Sequence, residues 1–180
     1  RWWRRRAASR RLQELLEFVA GEDARIVITG TSTGIGHELA KQFAKHPKVS
    51  MLIGNPGQVK SDREERSRVL PLELLDFNSV ERFAREAHKF LSGGKKGLRL
   101  VVNNAGAKWD PRYCEIARSL SPVGILPYCR KLDQGTYLSA TWQINFLGPF
   151  LLTELLCHLR EKEHTTRPLR VVNVSSGSEL

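Results

Sequence analysis

The sequence predicts an α/β fold: a doubly wound parallel sheet of five strands with helices on both faces. Three observations carry this. Short apolar segments alternate with longer segments of helical periodicity along most of the 180 residues. The short segments are apolar throughout rather than alternating, as expected of strands covered on both faces. A glycine-rich turn joins the first of them to the first following helix, and such turns sit at the carboxyl ends of strands in open sheets.

Residues 1–24 read as a basic tail and an amphipathic helix, with Leu12, Leu15, Leu16 and Val19 at helical spacing and Gly21 ending it. The domain proper runs over 25–180. Arg25 to Thr29 is the first strand, and Ile35 to His46 a helix stopped by Pro47. Val49 to Ile53 is the second strand, closed by Gly54, Asn55, Pro56 and Gly57. Val69 to Leu75 is the third, with Pro71 weakening its start. A helix follows over Ser79 to Leu91, with Asn78 or Ser79 as its cap. Leu98 to Val102 is the fourth strand, 108–134 is irregular, Tyr137 to Arg160 is a long helix, and Leu169 to Val174 is the fifth strand.

The formal charge is +10, but six arginines (Arg1, Arg4, Arg5, Arg6, Arg10, Arg11) stand in the first eleven residues without an acid among them. The basic character is therefore that of the tail, read as a solvated extension or a targeting remnant. The tail's Trp2 and Trp3 leave an anionic membrane surface or nucleic acid as lesser alternatives. No apolar run reaches the roughly 20 residues of a membrane span. Cys114, Cys129 and Cys157 form no C-x-x-C pair and have no histidines at metal-ligand spacing, so they read as free thiols in a reducing compartment. The expected location is intracellular, in the cytoplasm, with organelle targeting by the arginine-rich end left open.

The turn itself reads Thr29-Gly30-Thr31-Ser32-Thr33-Gly34-Ile35-Gly36. Glycines let backbone approach a ligand closely, and the helix N-terminus offers free N–H groups and a positive dipole end to phosphate. The spacing Gly30-x-x-x-Gly34-x-Gly36 resembles the fingerprint of the short-chain dehydrogenase/reductase family. Four further segments resemble it in order: Asp76 after the third strand, Asn103-Asn104-Ala105-Gly106 after the fourth, Asn145 within Trp142 to Gly148, and Val171 to Ser176. The stretches around Asn145 and from Leu74 to Val80 are most similar to the retinol-dehydrogenase-like and protochlorophyllide-reductase-like branches.

The resemblance implies a Rossmann-type domain in which residues 30–36 cradle the dinucleotide. It implies that Asp76 binds adenine, that Asn103 and Asn104 brace the sheet, and that Ala105 and Gly106 leave room for the ribose. It implies Asn145 and Ser176 as catalytic residues. For Asn145 there is an independent argument: Pro149 has no N–H, so the Asn145 carbonyl loses its helical partner and is left to hold a water. The competing reading is a simple proline kink. Ser176 would donate to a substrate oxygen as negative charge builds there.

The family's Tyr-x-x-x-Lys pair has no counterpart: Tyr113, Tyr128 and Tyr137 are followed four residues on by Ala117, Leu132 and Thr141. The expectation is thus a C-terminally truncated domain, inactive alone, with an insertion at about 110–131 and a fifth strand whose open edge favours homo-oligomers. No acid stands between Lys48 and Ser61, which points to NADP(H) over NAD(H), with Lys60 and Arg63 as sources of charge. The expected partner is a small-molecule carbonyl or alcohol substrate rather than nucleic acid. The alternative is a catalytically inactive dinucleotide-binding module with a regulatory or partner-binding role.

Overall fold

The computed structural model describes residues 10, 13–19, 24–57, 66–91, 97–107, 129–131, 137–161 and 167–175. Residues 13–19 are helical (α1). There follow β1 (Ala24–Thr29), α2 (Gly34–Ala44), β2 (Val49–Asn55), β3 (Ser67–Pro71), α3 (Phe77–Leu91) and β4 (Leu98–Asn103). Next come β5 (Cys129–Lys131), β6 (Tyr137–Ser139), α4 (Ala140–Trp142), a π-turn (Gln143–Leu147), α5 (Gly148–Glu161) and β7 (Arg170–Asn173).

Five strands form one sheet in the order β3-β2-β1-β4-β7, and all four of its pairings are parallel. The strand order reverses between β1 and β4, which opens a crevice at their carboxyl ends. The doubly wound fold read from the sequence is the fold observed.

Alternation along the strands divides the core in two. Val27, Leu52 and Val101 face one side, where they pack with Val80, Phe83, Ala84 and Ala87 of α3 and Leu152 and Leu156 of α5. Their neighbours Ile26, Ile28, Met51, Ile53, Leu100 and Val102 face the other, against Phe43 of α2 and Val19 of α1. Each fully buried aliphatic side chain contributes about 1.5–3 kcal/mol, so both layers are needed. On α1, Leu15, Leu16 and Phe18 pack onto the second layer. The Phe18 ring lies under two guanidiniums, with Arg99 at 4.4 Å and Arg170 at 4.1 Å from its centroid.

Four local expectations are corrected. The third strand ends at Pro71 instead of running to Leu75, because the chain turns at Leu74 and Leu75. The helix after it starts at Phe77 and is capped by Asp76, whose Oδ1 accepts from the Asn78 amide at 2.9 Å, not by Asn78 or Ser79. Ser79 instead accepts from the Glu73 N–H at 3.0 Å, under the same turn. Within the stretch read as irregular, Cys129–Lys131 pairs antiparallel with Tyr137–Ser139, which was read as helix. The rest of the 110–131 insertion lies outside the described residues.

Candidate functional site

The turn after β1 is built on two glycines with positive φ, Gly30 at 70° and Gly34 at 65°, a region that side chains disfavour. A Cβ on Gly30 would stand 2.6 Å from the Ala105 Cα. One on Gly36 would collide with the Asn104 amide and the Gly30 carbonyl. Gly34 has open space on its side-chain face. The turn is thus pressed against the end of β4 on one side and open on the other.

Polar side chains hold it there. Asn104 Nδ2 donates to the carbonyls of Gly30 (2.7 Å) and Thr29 (3.1 Å). The Thr29 hydroxyl accepts from the amides of Asn104 (3.1 Å) and Ala105 (3.0 Å). From the other flank, Asn55 Oδ1 accepts from the Thr31 N–H at 2.8 Å and Asn55 Nδ2 donates to the Thr31 hydroxyl at 3.2 Å. Thr31 is buried and faces this latch. α2 then begins without a side-chain cap: Thr33 stands at the N-cap position and makes no capping hydrogen bond, and the first turn holds no acid. Its first N–H groups are available to an anion.

The π-turn answers the proline problem. Pro149 cannot donate to the Asn145 carbonyl, and the helix widens just before it, with the Gly148 N–H reaching back five residues to Gln143. The Asn145 side chain is held by the backbone of Ala107: Nδ2 donates to the carbonyl and Oδ1 accepts from the amide, each at 2.9 Å. Neither a plain kink nor a loose solvent-facing amide describes it. Gln143, buried, donates from Nε2 to the Leu75 carbonyl at 2.5 Å and ties the same turn to the loop after β3.

Together these elements surround an open cleft of about 1240 Å³ at the carboxyl ends of β1, β4 and β7. Of the residues singled out from the sequence, Gly30, Ser32, Thr33, Gly34, Ile35, Asn103, Asn104, Ala105, Gly106 and Asn145 line it. Thr31 and Gly36 stand behind the turn as its supports. Asp76 caps α3, bonds Arg82 through Oδ2 at 3.3 Å and does not line the cleft. Ser176 lies outside the described residues, although Ser175 before it is a lining residue. Thr153 went unnoticed in the sequence, and Asn55 was read only as part of the turn that closes the second strand. The signal for Asn55 was a lone amide ending an apolar strand beside the glycine turn. Every described lining residue is uncharged. Among the described residues, no group of three or more His, Cys, Asp or Glu could hold a metal. The Cys157 thiol is pushed up by burial first and by Glu154 second, so it is a poor nucleophile.

The family model for short chain dehydrogenases matches residues 24–180. The chain belongs to that family. It is 32% identical over 164 residues to retinol dehydrogenase 12 of Mus musculus, covering 86% of this chain and 44% of that protein. It is 35% identical over 162 residues to polyprenol dehydrogenase of Mus musculus, covering 84% and 42%. The chain therefore spans less than half the length of these two relatives. A short-chain dehydrogenase/reductase from Burkholderia vietnamiensis shares the fold at a TM-score of 0.59 and 22% identity, covering 86% of this chain and 66% of that one. So does an NADPH-bound carbonyl reductase from chicken fatty liver, at 0.57 and 18%, covering 86% and 60%. No helix among the described residues is long and apolar enough to cross a membrane.

Proposed function

We propose that this chain is the dinucleotide-binding part of an oxidoreductase that takes NADP(H) in preference to NAD(H). Its substrate would be an apolar carbonyl compound or alcohol. The observation that carries the reading is the uncapped start of α2 behind a glycine turn that opens toward the cleft. Fit supports it: Gly34 leaves its side-chain space empty. The hydroxyls of Ser32 and Thr33 line the same wall. A pyrophosphate seated there would meet backbone N–H groups and a positive dipole end, with no carboxylate among the described lining residues to repel it.

The bound nicotinamide would supply or accept the hydride. The chain's own residues do the positioning. Asn104 and Asn55 fix the turn from both flanks, so the N–H groups stand ready before the ligand arrives. Ala105 and Gly106 keep the passage clear; a Cβ on Gly106 would stand 3.0 Å from Asn145 Oδ1. Asn145 braces the loop at Ala107, and its carbonyl, without an i+4 donor, is placed to hold a water. Ser176 would act as the donor to the substrate oxygen.

Cofactor choice follows from the end of β2. The residue there is Asn55, a neutral amide already committed to Thr31. An acid at this place would bind a ribose 2′-hydroxyl and repel a 2′-phosphate. The apolar substrate class follows from the far wall, where Phe146, Phe150, Val171 and Val174 line the cleft and are exposed. Two relatives named for retinol and polyprenol point the same way.

One observation favours a second reading, that of a non-catalytic dinucleotide-binding module. No described lining residue titrates near neutral pH, so nothing in the described cleft moves a proton. General acid–base help is worth about 10² to 10⁴ in rate. Calorimetric titration with NADP⁺ and NAD⁺ side by side tests the binding claim. Tighter binding of NADP⁺ is expected, and a clear preference for NAD⁺ would overturn the cofactor choice. Assay of residues 1–180 with NADPH and a panel of aldehydes and ketones is expected to show no robust turnover. Turnover that is lost in Ser176→Ala would overturn the inactive reading.

A further inference from the structure

At the floor of the cleft lies an amide whose direction is set from a distance. The Pro149 carbonyl accepts a hydrogen bond from the Thr153 hydroxyl at 2.8 Å. A carbonyl only accepts, so the hydroxyl proton is committed to it, and the Thr153 oxygen offers lone pairs alone to anything else. The Asn103 atom 3.0 Å from that oxygen is therefore the amide nitrogen. The same nitrogen stands 2.8 Å from the Asn173 side chain, and its two protons serve both contacts. Asn173 must meet it with its oxygen. Its own NH₂ group then lies at the opposite end of the amide.

The arrangement has a cost. Asn103 Oδ1 is buried with no hydrogen-bond partner. Turning the Asn103 amide over would not remedy this. It would bring two oxygens face to face at Asn173 and leave a nitrogen without an acceptor. An orphaned buried acceptor is uncommon and calls for an explanation. Here it is the consequence of a chain of bonds running one way, from Pro149 through Thr153 and Asn103 to Asn173.

Asn173 is exposed and lines the cleft beside Val171, Val174, Phe146 and Phe150. Its NH₂ is an uncharged donor in an apolar wall. Such a wall disfavours ions and suits a neutral carbonyl oxygen. We propose that Asn173 is a binding residue that donates an amide N–H to an uncharged carbonyl oxygen of the bound ligand, with Asn103 and Thr153 as the positioning residues that orient it. That oxygen comes either from the nicotinamide carboxamide or from the substrate carbonyl. The inference rests on the dinucleotide reading above, and the test separates the two.

The test uses ¹⁵N-labelled residues 1–180 and three probes: NADP⁺, 2′-phospho-ADP-ribose (the same molecule without nicotinamide), and decanal added to the dinucleotide-loaded protein. The Asn173 side-chain NH₂ signals are identified by their loss in Asn173→Leu. If the carboxamide is the partner, NADP⁺ shifts them and 2′-phospho-ADP-ribose does not. If the substrate is the partner, only decanal shifts them. Asn173→Leu and Thr153→Val should each weaken the responsible probe about tenfold, the worth of one neutral hydrogen bond. Thr153→Ser, which keeps the hydroxyl, should restore it. Asn173 signals that stay silent to both NADP⁺ and decanal while dinucleotide binds, or unchanged affinities in folded Asn173→Leu, overturn the proposal alone. A wild type that binds neither dinucleotide probe overturns the underlying reading as well.

Discussion

On the β1 side of the cleft, four polar side chains are occupied in holding other parts of the wall. Thr29, Asn104, Asn55 and Thr31 bond one another or one another's backbone. Gly30 and Gly36 leave no room there for a side chain. On the β7 side the surface is open. Four of the six large apolar side chains that stand exposed among the described residues, Phe146, Phe150, Val171 and Val174, line the cleft. Trp142, Phe146 and Phe150 stack along one helix face at 4.5 and 6.2 Å between centroids. One wall is preorganised and polar; the other is apolar and offers few fixed donors. Phosphate groups need fixed N–H donors, whereas an apolar substrate needs area. On the proposed function, the contrast would divide the labour of a single cleft.

The largest effect is expected from breaking the preorganised wall. Gly36→Val drives a branched side chain into the Asn104 amide and the Gly30 carbonyl, against which even a Cβ collides. Dinucleotide affinity by calorimetry should fall at least tenfold, about 1.4 kcal/mol. Thermal unfolding should show a loss of about 1–3 kcal/mol from overpacking. Unchanged affinity in the folded variant would remove the main argument for the pyrophosphate site.

Asn104→Ala comes next. It takes a donor from the Gly30 and Thr29 carbonyls while leaving the glycines in place. A loss of about 1–3 kcal/mol in denaturant unfolding is expected, with affinity falling in parallel. A stability loss without an affinity loss would mean that the turn needs no bracing to bind.

The open wall should respond differently. Val171→Lys puts a charge on a strand that is largely exposed, so stability should change by no more than about 0.5 kcal/mol. Any self-association through that surface should weaken, as read by sedimentation. Dinucleotide affinity should not move more than about twofold.

The smallest effect lies away from both walls. The Glu86 carboxyl is held below its ordinary range chiefly by its hydrogen bond from Lys89, with burial opposing. A lowered folded pKa stabilises above the ordinary carboxylate range, and that stability is lost as pH falls through the folded value. The pair is exposed, so Glu86→Gln should cost well under about 1 kcal/mol at neutral pH and nothing at strong acid. A constant cost across pH would assign the effect to packing.

How much of this was legible depended on how local the signal was. The glycine turn was readable because eight consecutive residues carry it. The parallel, doubly wound sheet followed from the alternation of strand and helix signals, while its strand order came from the structure alone. The side-chain network was not readable, since Asn104 meets Gly30 across 74 residues and Asn103 meets Asn173 across 70. The β5–β6 ribbon was missed because strands of three residues show no periodicity. Asp76 was noticed for its place after a strand, but its capping of α3 was not read, because Asn78 and Ser79 offered themselves as caps within the same turn.

Hydrogen–deuterium exchange with and without saturating NADP⁺ tests the central claim most directly, that the turn after β1 and the end of β4 form one dinucleotide site. The account predicts new protection in both 30–36 and 103–107, with α1 unchanged. Protection absent from the glycine turn, or confined to residues outside the cleft, would contradict it.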